Sequence, residues 1–342
     1  MTASTDTASA AIPDRRGEQR LAWARAATGA PELVLQRASF DAGFRSYWRT
    51  QGGDRAYIVM DSPPDLEDVR PWLAIRTVLE RGGVRVPGVL VQDETEGFLL
   101  LEDLGVDTYL QAIGPDNADA LFDDAVTQLL KLQAIVPPAD LPAYDEAMLR
   151  RELRLFDEWF LDRHLGATLD CTDLERLDLV HRQLIDNALA QPQLLVHRDF
   201  MPRNLMPVAG GPAVIDFQGA VRGPIAYDAL SLFKDAFLSW PQARVDAWMD
   251  RYHARAADAG LPVPPLARFR RDADFIGVQR HLKILGIFAR LRHRDDKPKY
   301  LPDAPRFLAY LDGVVPKYPE LAPLAEVLDR HVRPALAGQP DA

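Results

Sequence analysis

The chain has 342 residues, 47% of them hydrophobic and 26% charged, with a formal net charge of −10 and one cysteine, Cys171. That length buries a large core and sets an expectation of about two lobes, and the composition is that of an ordinary globular protein, not a fibrous, disordered or membrane chain. The acid excess argues against nonspecific nucleic-acid binding, which draws on Lys and Arg facing phosphates, and a single cysteine allows no internal disulfide and is compatible with a reducing compartment.

Residues 1–16 lack the basic start and apolar stretch of a secretion signal, and no apolar run approaches the ~20 residues that cross a bilayer. The expectation is a cytoplasmic protein with a loose tail over 1–16 and neither a membrane nor a nucleic-acid partner. A helical pattern covers 17–27. Strand patterns follow at 32–37, 45–49 and 56–60. Residues 71–81 form an amphipathic helix with Trp72, Ile75 and Leu79 on one side, ended by the Gly82-Gly83 stop signal. Two more strands at 84–91 and 97–101 complete a five-stranded antiparallel sheet with one inserted helix.

After a short polar connection at 102–105 the chain becomes mostly helical, with helices expected at 116–135, 145–163 and 173–190. The second carries Leu149, Leu153, Phe156, Trp159 and Phe160 at core spacing. Further helices are expected at 229–238, 241–259, 266–294 and 305–310. Asp228 is placed either to cap the first of these or to hold a neighbouring loop through backbone amides, and both roles are structural.

Between these helical stretches lies the most informative segment, residues 195–217. Two apolar runs, LLV and AVID, flank a polar loop holding His197, Asp199 and Asn204, and the second run delivers Asp216. Asp199 and Asn204 are five positions apart and Asp216 follows twelve later, so one tight turn can gather three oxygen-bearing side chains. Mg²⁺ prefers hard oxygen ligands and is usually held by one or two carboxylates plus substrate phosphates. That assigns Asn204 and Asp216 to the metal and leaves Asp199 to accept a proton. A lone HxD or IDF is usually structural, and it is the combination at this spacing that points to chemistry.

The motifs HRDFMPRN (197–204) and VIDFQGAVRGPIAYD (214–228), with the three-strand start, resemble the aminoglycoside phosphotransferase and choline kinase superfamily, whose fold is protein-kinase-like. More narrowly, VMDSPP (59–64), LLLEDLG (99–105), SLFKDAFLSWP (231–241) and the segment 277–301 resemble the bacterial anomeric N-acetylmuramate/N-acetylglucosamine kinases of cell-wall recycling. The resemblance covers nearly the whole chain. It implies an α+β, two-lobed fold with an N-lobe at 17–101, a hinge at 102–105 and a helical C-lobe at 106–342. It also implies ATP and Mg²⁺ as cofactors and transfer of phosphate to the anomeric hydroxyl of an amino sugar.

The same resemblance gives Asp199 the catalytic-base position, Asn204 and Asp216 the metal positions, and His197 and Asp228 supporting ones. Phosphoryl transfer runs mainly on positioning and charge neutralisation. The loop 38–44, with Phe40 and Gly43, stands where such a fold covers the nucleotide phosphates, although a plain hairpin turn explains that segment by itself. Glu102 and Leu104 stand where hinge backbone groups read the adenine edge.

One departure is marked. The third strand should end in a phosphate-contacting lysine and carries Met60, and the lysine's usual glutamate partner falls on Trp72. Arg45 and Arg49 on the second strand are the candidate replacements, since Arg offers a fork for phosphate oxygens. On the substrate side, residues 280–299 gather Arg280, His281, Lys283 and six further basic residues. These read either as a solvated helix face or as a pocket wall for an anion, with Arg203 a further candidate contact. The competing readings are another small-molecule kinase, for an aminoglycoside or choline-like alcohol, and a nucleotide-binding pseudokinase.

Overall fold

The computed structural model describes residues 14–39, 44–53 and 55–337. Phe40, Gly43 and residues 1–13 of the expected tail lie outside the described residues. The chain divides into two compact units, Met1–Ala74 with Pro87–Gly105, and Ile75–Val86 with Val106–Ala342. The division therefore departs from a simple cut at 101: residues 75–86 group with the helical unit.

The first unit opens with helix α1 (Arg15–Thr28), capped by Asp14, so the helix starts within the stretch expected to be loose. Strands β1 (Val34–Ser39), β2 (Ser46–Gln51), β3 (Tyr57–Asp61), β4 (Val89–Asp93) and β5 (Phe98–Glu102) form one antiparallel sheet in the order β1-β2-β3-β5-β4. Helix α2 (Arg70–Arg81) precedes β4 in the chain. α1 is held by ionic contacts that the sequence pattern did not announce. The buried Asp61 carboxylate accepts from Arg16 at 2.8 Å and from Arg20 at 2.7 Å, and the Arg20 guanidinium lies over the Trp48 ring at 3.7 Å.

The expected strand at 84–91 is shorter than its apolar pattern. Val84 and Val86 are buried, but Arg85 turns its backbone to the helical unit, donating its N–H to Gln128 and accepting from the Val214 N–H, and Pro87 follows. A residue whose N–H and C=O are already used cannot extend a ladder, so β4 begins only at Val89.

The second unit is built from α3 (Tyr109–Ala112), α4 (Ala118–Gln133), α5 (Glu146–Leu155), α6 (Cys171–Ala190), α7 (Ala226–Phe233), α8 (Gln242–Asp258), α9 (Leu266–His293), α10 (Ala304–Val314), α11 (Ala322–Val327) and α12 (Arg333–Ala337). α5 continues directly into a π-helical stretch, Phe156–His164, so the expected single helix at 145–163 is present with a wider final part. α7 starts three residues earlier than expected, which places Asp228 inside its first turn and not at its cap.

Buried side chains of α5, α6, α9 and α10 share one apolar core. α9 approaches α5 closely. A Cβ on Gly286 would fall 2.3 Å from the Leu155 carbonyl, so only glycine permits this contact. Four short strands complete the unit: β6 (Gln193–Val196) pairs with β9 (Val221–Pro224), and β7 (Leu205–Met206) with β8 (Ala213–Val214).

Candidate active site

The polar loop leaves β6 at Val196 and re-enters regular structure at β7. The β7–β8 hairpin sets the distance between its two halves: the Ile215 N–H donates to the Asn204 carbonyl at 3.0 Å, which brings Asp216 beside Asn204. Asn204 is buried, and its Nδ2 donates to the Asp199 carbonyl at 2.9 Å. His197, also buried, bonds through Nε2 to the Ile215 carbonyl at 3.0 Å, and its Nδ1 accepts the Asp199 N–H at 3.3 Å. Burial pushes its pKa down against the pull of Asp228 and Asp199, so the ring stays neutral, a donor at one nitrogen and an acceptor at the other.

Asp228 fixes the loop from below. Its two oxygens accept the backbone N–H groups of His197 at 2.7 Å and Arg198 at 3.0 Å. Burial raises its carboxyl to about 6 even though those amides favour the ionised form. Arg198 sits at φ 74° and Asp216 at φ 63°, both in the left-handed region that costs a side-chain-bearing residue strain.

The Asp199 side chain is 44% exposed, the reachable carboxylate of the loop. Burial works against its ionisation, but the Lys283, Arg280 and Arg198 charges outweigh it and hold the carboxyl below the ordinary range. Arg280 Nη1 stands 3.8 Å from Asp199 Oδ1 and donates to the Arg198 carbonyl at 2.8 Å and the Tyr227 hydroxyl at 3.2 Å. Lys283 reaches the same hydroxyl at 3.2 Å and Glu152 Oε1 at 3.2 Å. Glu152 also takes Arg198, the Tyr144 hydroxyl and, at 3.2 Å, Gln279.

The basic run at 280–299 is thus two different things. Arg280, His281 and Lys283 are buried, and Arg292, His293 and Arg294 are not. Arg203, half-buried, lies over the Phe237 ring at 5.2 Å. The sequence pattern alone missed Glu152, Arg198, Tyr144 and Tyr227. Glu152 sits on a helix rich in acids, where nothing in the local pattern separates it from its solvated neighbours.

In the first unit Met60 and Trp72 are both buried. Arg49 is committed to the Asp103 carboxylate at 2.7 Å and the Gly105 carbonyl at 2.6 Å, a brace at the end of β5. Arg45 precedes β2 and pairs with the part-exposed Glu67 at 2.7 Å. Glu102 belongs to β5, with its N–H bonded to the Gly88 carbonyl and its carboxylate to the Gly88 N–H, and Leu104 is half-buried.

A half-exposed carboxylate ringed by cations, with an amide and a second carboxylate on the adjoining hairpin, is a donor set for phosphoryl transfer. The model of the phosphotransferase enzyme family matches residues 34–269. The chain belongs to that family. An N-acetylmuramate/N-acetylglucosamine kinase of Pseudomonas aeruginosa is 52% identical over 87% of this chain and 88% of its own length. One of Neisseria meningitidis is 42% identical over 90% and 93%. Among solved structures, an ADP-bound aminoglycoside phosphotransferase shares 16% identity at a TM-score of 0.59, covering 87% of this chain and 98% of its own. A choline kinase of Streptococcus pneumoniae shares 13% at 0.60, covering 86% and 99%. At such identities these two speak for the fold alone, which is the kinase-like one of the phosphotransferase family.

Asn204 and Asp216 suit a magnesium ion by their chemistry: a neutral amide and an exposed carboxylate, both hard oxygen donors, held together by the hairpin. Among the described residues no group of three or more His, Cys, Asp or Glu is arranged to hold a metal. Among the described residues no helix is long and apolar enough to cross a membrane.

Proposed function

We propose that this phosphotransferase-family enzyme is an ATP-dependent kinase that phosphorylates the anomeric C1 hydroxyl of N-acetylmuramate and N-acetylglucosamine. The observation that carries the reading is the 52% identity to a relative of that name over 87% of the chain. The site supports it. The carboxylate that receives the sugar proton is flanked by buried cations at Arg280 and Lys283, an environment that favours an acceptor sugar bearing a carboxylate over a polycationic one.

In this reading Asp199 orients the C1 hydroxyl and accepts its proton, and its depressed pKa keeps it ionised for that task. An anomeric hydroxyl is more acidic than an ordinary alcohol, so a weak base suffices. Asn204 and Asp216 would hold the magnesium ion, which when bound would supply charge neutralisation for the transferred phosphate. His197 and Asp228 keep the loop in its strained conformation. Arg45 is the candidate cation for the nucleotide phosphates, since its partner Glu67 is part-exposed, whereas Arg49 is held by both the Asp103 carboxylate and the Gly105 carbonyl. The protein works in the cytoplasm on recycled cell-wall sugars.

The test is ADP release from Mg-ATP with N-acetylmuramate, N-acetylglucosamine, kanamycin and choline supplied separately. Release with the two amino sugars alone is expected. Release only with kanamycin or choline would move the assignment to another acceptor, and none with any of them would favour a nucleotide-binding module without catalysis.

A further inference from the structure

Buried polar groups are almost always hydrogen-bonded, so a cluster of them without partners calls for an explanation. One such cluster lies in the second unit, outside the machinery described above. Lys234 and Asp235 follow the last turn of α7, exposed by only 4% and 1%, and His281 on α9 is exposed by 1%. Asp235 Oδ1 accepts the Ala236 N–H, but Oδ2 has no partner, and neither ring nitrogen of His281 has one.

Among the described residues Lys234 Nζ has no hydrogen-bond acceptor. Its ammonium stands 5.8 Å from the Tyr310 ring centroid, and His281 stacks on that same ring at 4.8 Å. A largely buried lysine with no bonded counter-ion is costly to the fold and invites an anion from outside. Burial accordingly pushes the Lys234 pKa down, and burial together with Lys234 and Arg280 pushes His281 well below its usual value.

The cluster is linked to the proton acceptor through Arg280. Arg280, next to His281 in the chain, stands 3.8 Å from Asp199, and its charge also bears on Asp235 and His281. The connection carrying Lys234 and Asp235 continues into half-buried Phe237 and exposed Ser239, so the pair lies a few residues from solvent. Arg280 Nη1 and Lys283 Nζ are engaged by protein acceptors, whereas both His281 ring nitrogens and Asp235 Oδ2 have none.

We propose that Lys234, Asp235 and His281 form the sugar-binding pocket beside Asp199, with Lys234 receiving the lactyl carboxylate of N-acetylmuramate and so setting preference between the two amino sugars. This rests on the reading given under Proposed function. A neutral imidazole offers one donor and one acceptor, the complement of the acetamido group that both sugars carry, and the Asp235 carboxylate accepts from ring hydroxyls.

The experiment is steady-state kinetics of the wild type, Lys234→Met and His281→Leu with each sugar at saturating Mg-ATP. Losing a hydrogen bond between charged groups lowers the kcat/KM ratio, N-acetylmuramate over N-acetylglucosamine, by ~10-fold or more in Lys234→Met. His281→Leu weakens both sugars together and leaves the ratio within about twofold, as expected when a group shared by both loses a neutral partner. Lys234→Met removes an unpaired buried charge and is expected to fold, and Lys234→Gln gives the same reading should it not. An unchanged ratio in the lysine variants, or an equal fall for both sugars, overturns the proposal. A wild-type enzyme that turns over neither sugar overturns the parent reading and this one with it, a result separable from the first because it needs no variant.

Discussion

Asp228 sets the backbone of Arg198: its carboxylate accepts the Arg198 N–H at 3.0 Å and the neighbouring His197 N–H at 2.7 Å while Arg198 is held at φ 74°. A carboxylate is required because both donors point at acceptor-only oxygens. Asp228→Asn turns one acceptor into a donor facing a backbone N–H. The expected result is a loss of roughly 2–4 kcal/mol of stability and a kcat lower by ~10-fold or more with the KM for ATP little changed, read by urea unfolding and steady-state kinetics.

Glu152 is the only carboxylate bonded to both Arg198 and Lys283 among the described residues. Removing one partner of a buried ion pair leaves the other charge uncompensated, so Glu152→Gln is expected to destabilise by about 3–5 kcal/mol. The double variant Glu152→Gln, Lys283→Met should recover part of that loss. Unfolding curves in which the two substitutions add without recovery would show that the charges are not coupled.

The two arginines of the first unit are expected to separate. Arg49→Ala removes a two-pronged bond to Asp103 and should cost roughly 1–2 kcal/mol of stability. Arg45→Ala should leave stability nearly unchanged and raise the KM for ATP by ~10-fold. Thermal unfolding paired with an ATP titration checks both, and an unaltered KM in Arg45→Ala removes it as the phosphate contact.

Asp157 and His181 make opposed contributions to the pH dependence of stability. They stand 3.6 Å apart, Asp157 raised to about 7 by burial and His181 lowered to about 4 by burial. A raised carboxyl stabilises at low pH and loses that contribution as pH rises toward 7. A lowered imidazole contributes stability above about 6.5 that is lost as pH falls through about 4. Between pH about 4 and 6.5 the two slopes cancel. Asp157→Asn should therefore expose the histidine slope, stability rising by roughly 1.4 kcal/mol per pH unit across that window. Parallel curves for variant and wild type in denaturant titrations would contradict this.

What could be read in the sequence was what lies close together in the chain. His197, Asp199, Asn204 and Asp216 fall within twenty residues, and the hairpin that joins them needs only two short apolar runs. The sheet was legible for the same reason, apart from residues 84–88, whose apolar pattern serves the helical unit. Glu152 meets Arg198 across 46 positions, and nothing near it distinguishes it from Asp157 or Glu158. Lys234 and Asp235 fall inside the expected helix 229–238 with no local signal to set them apart, and their burial comes from distant parts of the chain such as Tyr310 on α10. Arg280 and Lys283 read either as part of a solvated basic face or as a pocket wall, and only the packing of α9 shows which of its charges are inside.

The most direct test of the central claim is the position of the phosphate on the product. Wild-type protein is incubated with Mg-ATP and N-acetylmuramate, and the product is followed by phosphorus NMR before and after mild acid, with Asp199→Asn as control. The account predicts a C1 phosphate that mild acid releases, formed at a rate lower by ~10²-fold or more in the control. An acid-stable phosphomonoester at another hydroxyl, or undiminished turnover by Asp199→Asn, would contradict it.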